Sequence, residues 1–315
     1  MTADLLYPEV KPRCARRIAV GDGHYLYVEE VGPADGLPVL FLHGGPGSGC
    51  TPAQRRLFDP QRFRAVLVDQ RGAGRSQPLG ALNENTTADL VADLEIVREA
   101  LGIPAWIVFG GSWGSLLALA YAQIYTERVL GLVLRGIFLG SQAEIASYVG
   151  GENPGAHQAW HAFSRGLGAA ASGDLLAACA ARVLGEDAGE AERAGRTWLD
   201  YERALLGEAP LGRSPDARET AKVRIQMHYL SRHCFLAPGQ LLAGVERLRH
   251  LPAAIVQGLS DPVCPPKNAD ALHHAWPEAT WFPVSNAGHG GLSPPIARAC
   301  IKALGWVAEC IEVVG

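Results

Sequence analysis

The sequence predicts an α/β fold with a mostly parallel central sheet and an inserted helical cap, on three observations. Short β-branched and aromatic runs alternate with amphipathic segments, the pattern of a parallel sheet covered by helices on both faces. That alternation stops near residue 140 and resumes after 240, with Ala, Gly, Glu and Arg dominating between. A serine framed by glycines stands where one apolar run turns into a helical one, in "VFGGSWGSLLALAYA" (108–122). The predicted organisation is a first core part over 1–139, a helical cap over 140–240 and a second core part over 241–315.

The elements follow in order. "RIAVGDGHYLYVEEVG" (17–32) reads as two strands around a Gly-Asp-Gly turn, and "PVLFLH" (38–43) as a third. "RAVLVD" (64–69) is a strand, and "TTADLVADLEIVREALG" (86–102) is an amphipathic helix opening on a threonine cap. "AWIVF" (105–109) is a buried strand that leads into the helical "WGSLLALAYAQIY" (113–125), and "RVLGLVLRG" (128–136) is the next strand. In the cap, "GDLLAACAARVLG" (173–185) and "ARETAKVRIQMHYLSRH" (217–233) have helical spacing. "PAAIVQG" (252–258) and "ATWFPV" (279–284) resume the strands, with "NADALHHAW" (268–276) between them and "PPIARACIKALGWVAECIEVV" (294–314) as a closing helix.

Composition narrows the partners. Hydrophobic residues at 48% and charged residues at 19% are globular values, and a net charge of −4 gives no electrostatic reason for a nucleic-acid or anionic-membrane partner. The expected partner is a small or neutral substrate. The N-terminal "MTADLLYPEVKPRCARR" has no apolar h-region, and no stretch of about 18 apolar residues occurs, so a soluble, cytoplasmic protein is expected. Cys14, Cys50, Cys179, Cys234, Cys264, Cys300 and Cys310 are odd in number, scattered and never in C-x-x-C spacing. That argues against a disulfide framework or a thiolate zinc site and for a reducing compartment.

Gly110, Ser112 and Gly114 form G-x-S-x-G, the pattern of a nucleophile elbow between strand and helix. A serine hydroxyl needs a histidine to take its proton, and that histidine needs an orienting carboxylate. Asp261 in "QGLSDPVCPP" and His289 in "VSNAGHGG" each follow a predicted strand, giving the chain order Ser, Asp, His at the carboxyl ends of the sheet. Singly, Asp261 before a proline reads as a turn former and His289 as a loop residue; together in this order they read as a catalytic triad. The tetrahedral intermediate needs N–H donors: Trp113 supplies one, and Gly44 or Gly45 in "HGGPGSG" (43–49) the other. No Gly-Lys-Ser/Thr follows that loop and no dinucleotide fingerprint occurs, so no nucleotide cofactor is expected. His157 and His161, four apart in "HQAWH", have no accompanying glutamate and read as solvated cap residues rather than metal ligands. His273 and His274 are adjacent and so lie on different helix faces. No metal and no cofactor is expected.

With "HGGPGSG", "DQRGAGRS" (69–76), "GGSWGS" (110–115), "LRGIFL" (134–139) and "DPVCP" (261–265) in place, the chain resembles the proline iminopeptidases of the α/β-hydrolase superfamily. The resemblance implies an α/β-hydrolase fold and a metal-free serine peptidase that removes N-terminal proline from small peptides or amides. It implies that cap carboxylates hold the substrate's imino group. Glu202 in "WLDYE" matches the first of these, whereas "RIQMHY" (224–229) places Gln226 where the family has its second glutamate. Phe138, Tyr148 and Cys264 match the lining of the proline pocket, and Arg135 matches in "LRG". The glutamine leaves a second substrate class open, an ester, an amide or an acyl-transfer substrate of a specialised metabolic pathway, with its amide oxygen still on offer. A third reading, a non-catalytic ligand-binding relative, is disfavoured by the complete triad.

Overall fold

The computed structural model describes residues 6–168 and 174–314. The first five residues of the N-terminal segment and Gly173 at the head of the first cap segment lie outside the described residues. In chain order the elements are β1 (Cys14–Gly21), β2 (His24–Val31), β3 (Leu37–Leu42), β4 (Phe63–Asp69), α1 (Thr87–Ala100), β5 (Trp106–Ser112), α2 (Trp113–Ile124) and β6 (Val129–Ile137). Between β6 and β7 the described residues form helices: α3 (Gln142–Val149), α4 (His157–Gly166), α5 (Leu175–Val183), α6 (Ala188–Leu205), α7 (Ala217–Leu230) and the single turn α8 (Gln240–Ala243). β7 (Ala253–Gly258), α9 (Pro266–Ala275), β8 (Thr280–Val284) and α10 (Pro294–Val314) complete the chain.

The eight strands form one sheet in the order β1-β2-β4-β3-β5-β6-β7-β8. β2 is antiparallel to β1 and β4, and every pair from β4 to β8 is parallel. Side chains along the central strands alternate between two cores. Leu40, Leu42, Val66, Val68 and Val108 face the side covered by α1, α2 and α9, and Val39, Phe41, Ala65, Leu67 and Ile107 face α10. Both sides of these strands are dry, which is why they read as unbroken apolar runs. After β3 the chain builds β4 on one side and then crosses back to build β5 on the other. The loops after β3 and β5 therefore open side by side at the carboxyl edge, where such sheets make their crevice.

The predicted threonine cap of α1 is present: Thr86 accepts from the Asp89 N–H, and the Asp89 carboxylate accepts from the Thr86 N–H at 2.8 Å. The Gly-Asp-Gly turn bends through three successive left-handed residues, Gly21, Asp22 and Gly23. Cap helices α3, α5, α6 and α7 each open on a Ser or Asp side chain that accepts from a first-turn N–H. An aromatic cluster holds them together. Phe163 stacks on Tyr201 at 5.5 Å, and Trp198 packs edge-on against Phe163 and Tyr148. α7 ties the cap to the core. Its Tyr229 hydroxyl donates to Asn85 Oδ1 (2.8 Å), His228 Nε2 lies 2.9 Å from the Asn85 carbonyl, and the Tyr229 ring sits 4.7 Å from that of Trp113.

Candidate active site

β5 ends in Ser112 with φ 58° and ψ −127°, and α2 begins at the next residue. A side chain in the left-handed region is strained, and such strain is tolerated where the surroundings over-determine it. Here the framing glycines do so. A Cβ on Gly110 would lie 2.0 Å from the Gly114 carbonyl oxygen, and one on Gly114 2.2 Å from that of Leu42. Ser115 Oγ locks the turn, donating to the Ser112 carbonyl (2.7 Å) and accepting from the Phe138 N–H (3.1 Å).

Asp261 follows β7 and His289 follows β8, and the structure joins them: His289 Nδ1 is 2.7 Å from Asp261 Oδ2. The other oxygen, Oδ1, accepts from the Val263 and Cys264 N–H groups, both at 2.8 Å, so the carboxylate is fixed in orientation. His289 and Ser112 line the same cavity. The Ser112 hydroxyl is directed at Cys264 Sγ, 3.9 Å away, rather than into a hydrogen bond with the imidazole. A substrate-free site often leaves that bond open and closes it in the complex. Burial pushes the Cys264 thiol well above its usual range, keeping it protonated and inert beside the serine. Arg135, at the end of β6, donates to the His289 carbonyl (3.0 Å) and lies against Gly111 and Gly291, where a Cβ would fall within 3.0 Å of its guanidinium.

The loop after β3 reaches the serine. A Cβ on Gly44 would meet Ser112 Cβ at 3.4 Å and its Oγ at 3.8 Å, and Gly45 has φ +121°. Neither glycine's N–H has a partner among the described residues. The "DQRGAGRS" segment holds this loop, a role that was not legible in the motif itself. Gln70 Nε2 donates to the His43 carbonyl (3.1 Å), its N–H to His43 Nε2 (3.1 Å), and its Oε1 accepts from Trp113 Nε1 (2.8 Å). One side chain thus couples the glycine loop to the residue after the nucleophile. Gln70→Leu leaves two buried polar groups unpaired, at about 1–3 kcal/mol each. It is expected to lower kcat about tenfold or more with little change in KM, because the N–H donors shift; steady-state kinetics with a thermal melt checks this.

Asp69 closes the far end of the loop. Its carboxylate accepts from the Cys50 N–H (2.7 Å), the Arg75 N–H (2.9 Å) and Arg75 Nε (2.8 Å). Burial pushes its pKa up, but the hydrogen bonds from Arg75 and Cys50 and the nearby His43 outweigh that and hold it below the ordinary 3.8. A depressed carboxylate contributes stability that is complete above 3.8 and is lost as pH falls through the folded value. Asp69→Asn is therefore expected to cost about 3 kcal/mol at neutral pH, and the gap to the native chain to narrow as pH drops below 3.8. Urea unfolding across the acid range reads it; a gap constant with pH would exclude the electrostatic account.

The cavity measures about 250 Å³. Of the residues expected around the substrate, Arg135, Phe138, Tyr148, Glu202 and Cys264 line it together with Gly44, Gly45, Ser112, Trp113 and His289. Gln226 is not among the lining residues. It is buried behind Glu202, its Oε1 accepts from Trp198 Nε1 (3.0 Å) and its Nε2 donates to Glu202 Oε1 (2.7 Å). The expectation that its amide oxygen faces the substrate is thereby corrected: a glutamine here must present its N–H to the neighbouring carboxylate, and the indole takes the oxygen. Glu202 Oε1 also accepts from the Tyr148 hydroxyl (2.8 Å), and Oε2 is bridged by Lys222 Nζ (2.8 Å). Lys222 escaped the sequence reading, although it precedes Gln226 by four residues and so shares its helix face. His157 and His161 are exposed, with rings stacked at 4.7 Å, away from the cavity lining.

A strained serine after a parallel strand, an Asp–His couple on the neighbouring loops and a glycine loop beside the hydroxyl define a serine hydrolase on an α/β sheet. The family model described as alpha/beta hydrolase fold matches residues 38–293. The proline iminopeptidase of Arabidopsis thaliana is 43% identical over 306 residues, covering 95% of this chain and 80% of that protein. That of Neisseria gonorrhoeae is 41% identical over 303 residues, covering 95% and 97%. The chain belongs to the proline iminopeptidase family. The crystal structure of the Mycobacterium smegmatis proline iminopeptidase superposes with a TM-score of 0.63 at 17% identity, covering 96% of this chain and all of that one, a likeness of fold. No helix among the described residues is long and apolar enough to cross a membrane.

Proposed function

We propose that this chain is a serine aminopeptidase that releases N-terminal proline from small peptides or amides through an acyl-enzyme. The observation that carries the reading is the convergence of Ser112, the Asp261–His289 couple and the Glu202 carboxylate on one cavity. Ser112 Oγ attacks the prolyl carbonyl while His289 takes its proton, and the Trp113 N–H with that of Gly44 or Gly45 stabilises the oxyanion. His289 then protonates the leaving amine, and the same imidazole activates the water that hydrolyses the ester. Asp261, held by two N–H groups on Oδ1, fixes the tautomer. Phe138, Tyr148 and Cys264 supply an apolar wall for the five-membered ring, and Glu202 faces its nitrogen. Seven free thiols, five of them buried, support a cytoplasmic setting.

The Gln226 arrangement favours one second reading, an esterase or amidase using the same triad on a neutral acyl group. The test is release of a chromogenic amine from an L-prolyl amide, beside an alanyl amide, an N-acetylprolyl amide and a short ester. Prolyl turnover that requires the free nitrogen is expected. Ester turnover without prolyl turnover would replace the aminopeptidase with the second reading.

A further inference from the structure

Two carboxylates, Glu144 and Glu202, line the cavity, and they differ in their partners. Glu144 caps α3, accepting from the Leu139 N–H (2.9 Å) and the Ser141 N–H (2.8 Å), both backbone groups. Glu202 accepts from side chains alone, Tyr148 and Gln226 on Oε1 and Lys222 on Oε2, and its charge is matched by that lysine, which also lines the cavity. Behind the pair stands a neutral amide, Gln226, which adds a donor and no charge. The nitrogen end of the cavity thus carries one anion and one cation in contact. A protonated secondary amine has two donors and no acceptor, and it would bring a second cation to a carboxylate that already holds one. A neutral secondary amine has one donor and one lone pair, the complement of a carboxylate beside an ammonium.

Resting on the aminopeptidase reading, we propose that Lys222 is a specificity-determining residue that makes this site select the uncharged form of the substrate's secondary amine, which donates to Glu202 and accepts from Lys222. The other titratable or charged groups around the cavity are Tyr148 and Glu144 on α3, Arg135 at the end of β6, and Cys264 and His289 on the core loops. Of these, Tyr148 is held neutral by burial. Any effect of pH on the shared catalytic groups acts on both substrates alike, so a ratio of the two substrates cancels it.

The experiment compares kcat/KM for an L-prolyl arylamide with that for its cyclopentanecarbonyl isostere, which replaces the nitrogen by CH₂, across pH. In the native chain the prolyl-to-isostere ratio is expected to rise about tenfold per pH unit up to the substrate's own amine pKa, measured separately. In Lys222→Met the ratio at neutral pH is expected to be about tenfold higher and flat with pH, the change lying mainly in KM. Lys222→Gln, which keeps a donor without the charge, is expected to follow Lys222→Met. Thermal melts check that both variants fold. A flat ratio in the native chain, or a ratio unchanged or lowered in both variants, overturns the proposal. If the isostere is hydrolysed and the prolyl amide is not at any pH, the aminopeptidase reading fails on its own. Inhibition of isostere hydrolysis by L-prolinamide then decides the role of Lys222: inhibition tightening tenfold per pH unit, and levelling in Lys222→Met, supports it, and no inhibition in either protein overturns it.

Discussion

Ser112→Ala is expected to lower kcat for a prolyl amide by on the order of 10⁶-fold while leaving the fold intact. Ser112 is partly accessible in the cavity, and among the described residues its hydroxyl makes only the 3.9 Å approach to Cys264 Sγ, to which little stability is owed. His289→Ala is expected to cost about as much, since an unactivated hydroxyl is as ineffective as none, and the double substitution little more than either alone. Asp261→Asn is the more informative change. It keeps the shape but turns an acceptor of three hydrogen bonds into a group that must offer N–H either to the Val263 and Cys264 amides or to His289 Nδ1. Presented to the imidazole, the amide N–H selects the wrong tautomer, and kcat falls about 10⁴-fold. A loss confined to tenfold in Ser112→Ala, measured with enzyme free of native contamination, would remove the serine from the chemistry.

The parts of this site that were legible in the sequence are those encoded locally. The elbow is a matter of five adjacent residues, because sterics at Ser112 are settled by Gly110 and Gly114. The core strands announced themselves because residues such as Leu40 and Phe41 face opposite cores, so both parities are apolar. The threonine cap of α1 is likewise local, spanning the four residues from Thr86 to Asp89. The helices α3, α4 and α6 are less distinct in the sequence: α3 buries Ile145 and Val149 and α4 buries Phe163, and in α6 the small Ala194 and Gly195 take two of the buried positions, so the large apolar residues that mark a helical stripe are few. What was not legible is pairwise and distant. Gln70 reaches Trp113 across 43 positions, where the loop after β4 meets the start of α2, and Lys222 reaches Glu202 across 20, where α7 packs on α6. The same geometry turned Gln226 from a substrate ligand into a buttress, since its amide dipole is set by Trp198 on one side and Glu202 on the other. Residue type in a motif fixes which groups are available; the packing of remote helices fixes which way they are used.

Glycine substitutions test how tightly the elbow is built. Gly114→Ala would set a methyl 2.2 Å from the Leu42 carbonyl oxygen and 3.0 Å from its carbon, and Gly110→Ala one 2.0 Å from the Gly114 oxygen. Backbone atoms of a buried strand and the helix beside it cannot rotate away, so the main chain must move. Each change is expected to destabilise by about 3–5 kcal/mol. The two differ in what they displace. Gly114→Ala pushes on the end of β3, from which the 43–50 loop departs, so any folded fraction should also lose kcat through displaced N–H donors. Gly305→Ala, in the interior of α10, is the control: its added methyl meets nothing within 4 Å. There the loss of glycine's unfolded-state freedom dominates, and a gain of about 0.5–1 kcal/mol is expected. Urea unfolding of the three variants separates the cases. Equal stability in all of them would mean that the close approaches at 110 and 114 relax without cost and that the elbow does not require glycine there; a large loss at 110 and 114 beside a gain at 305 ties the motif to the close approach of strand, turn and helix that presents Ser112.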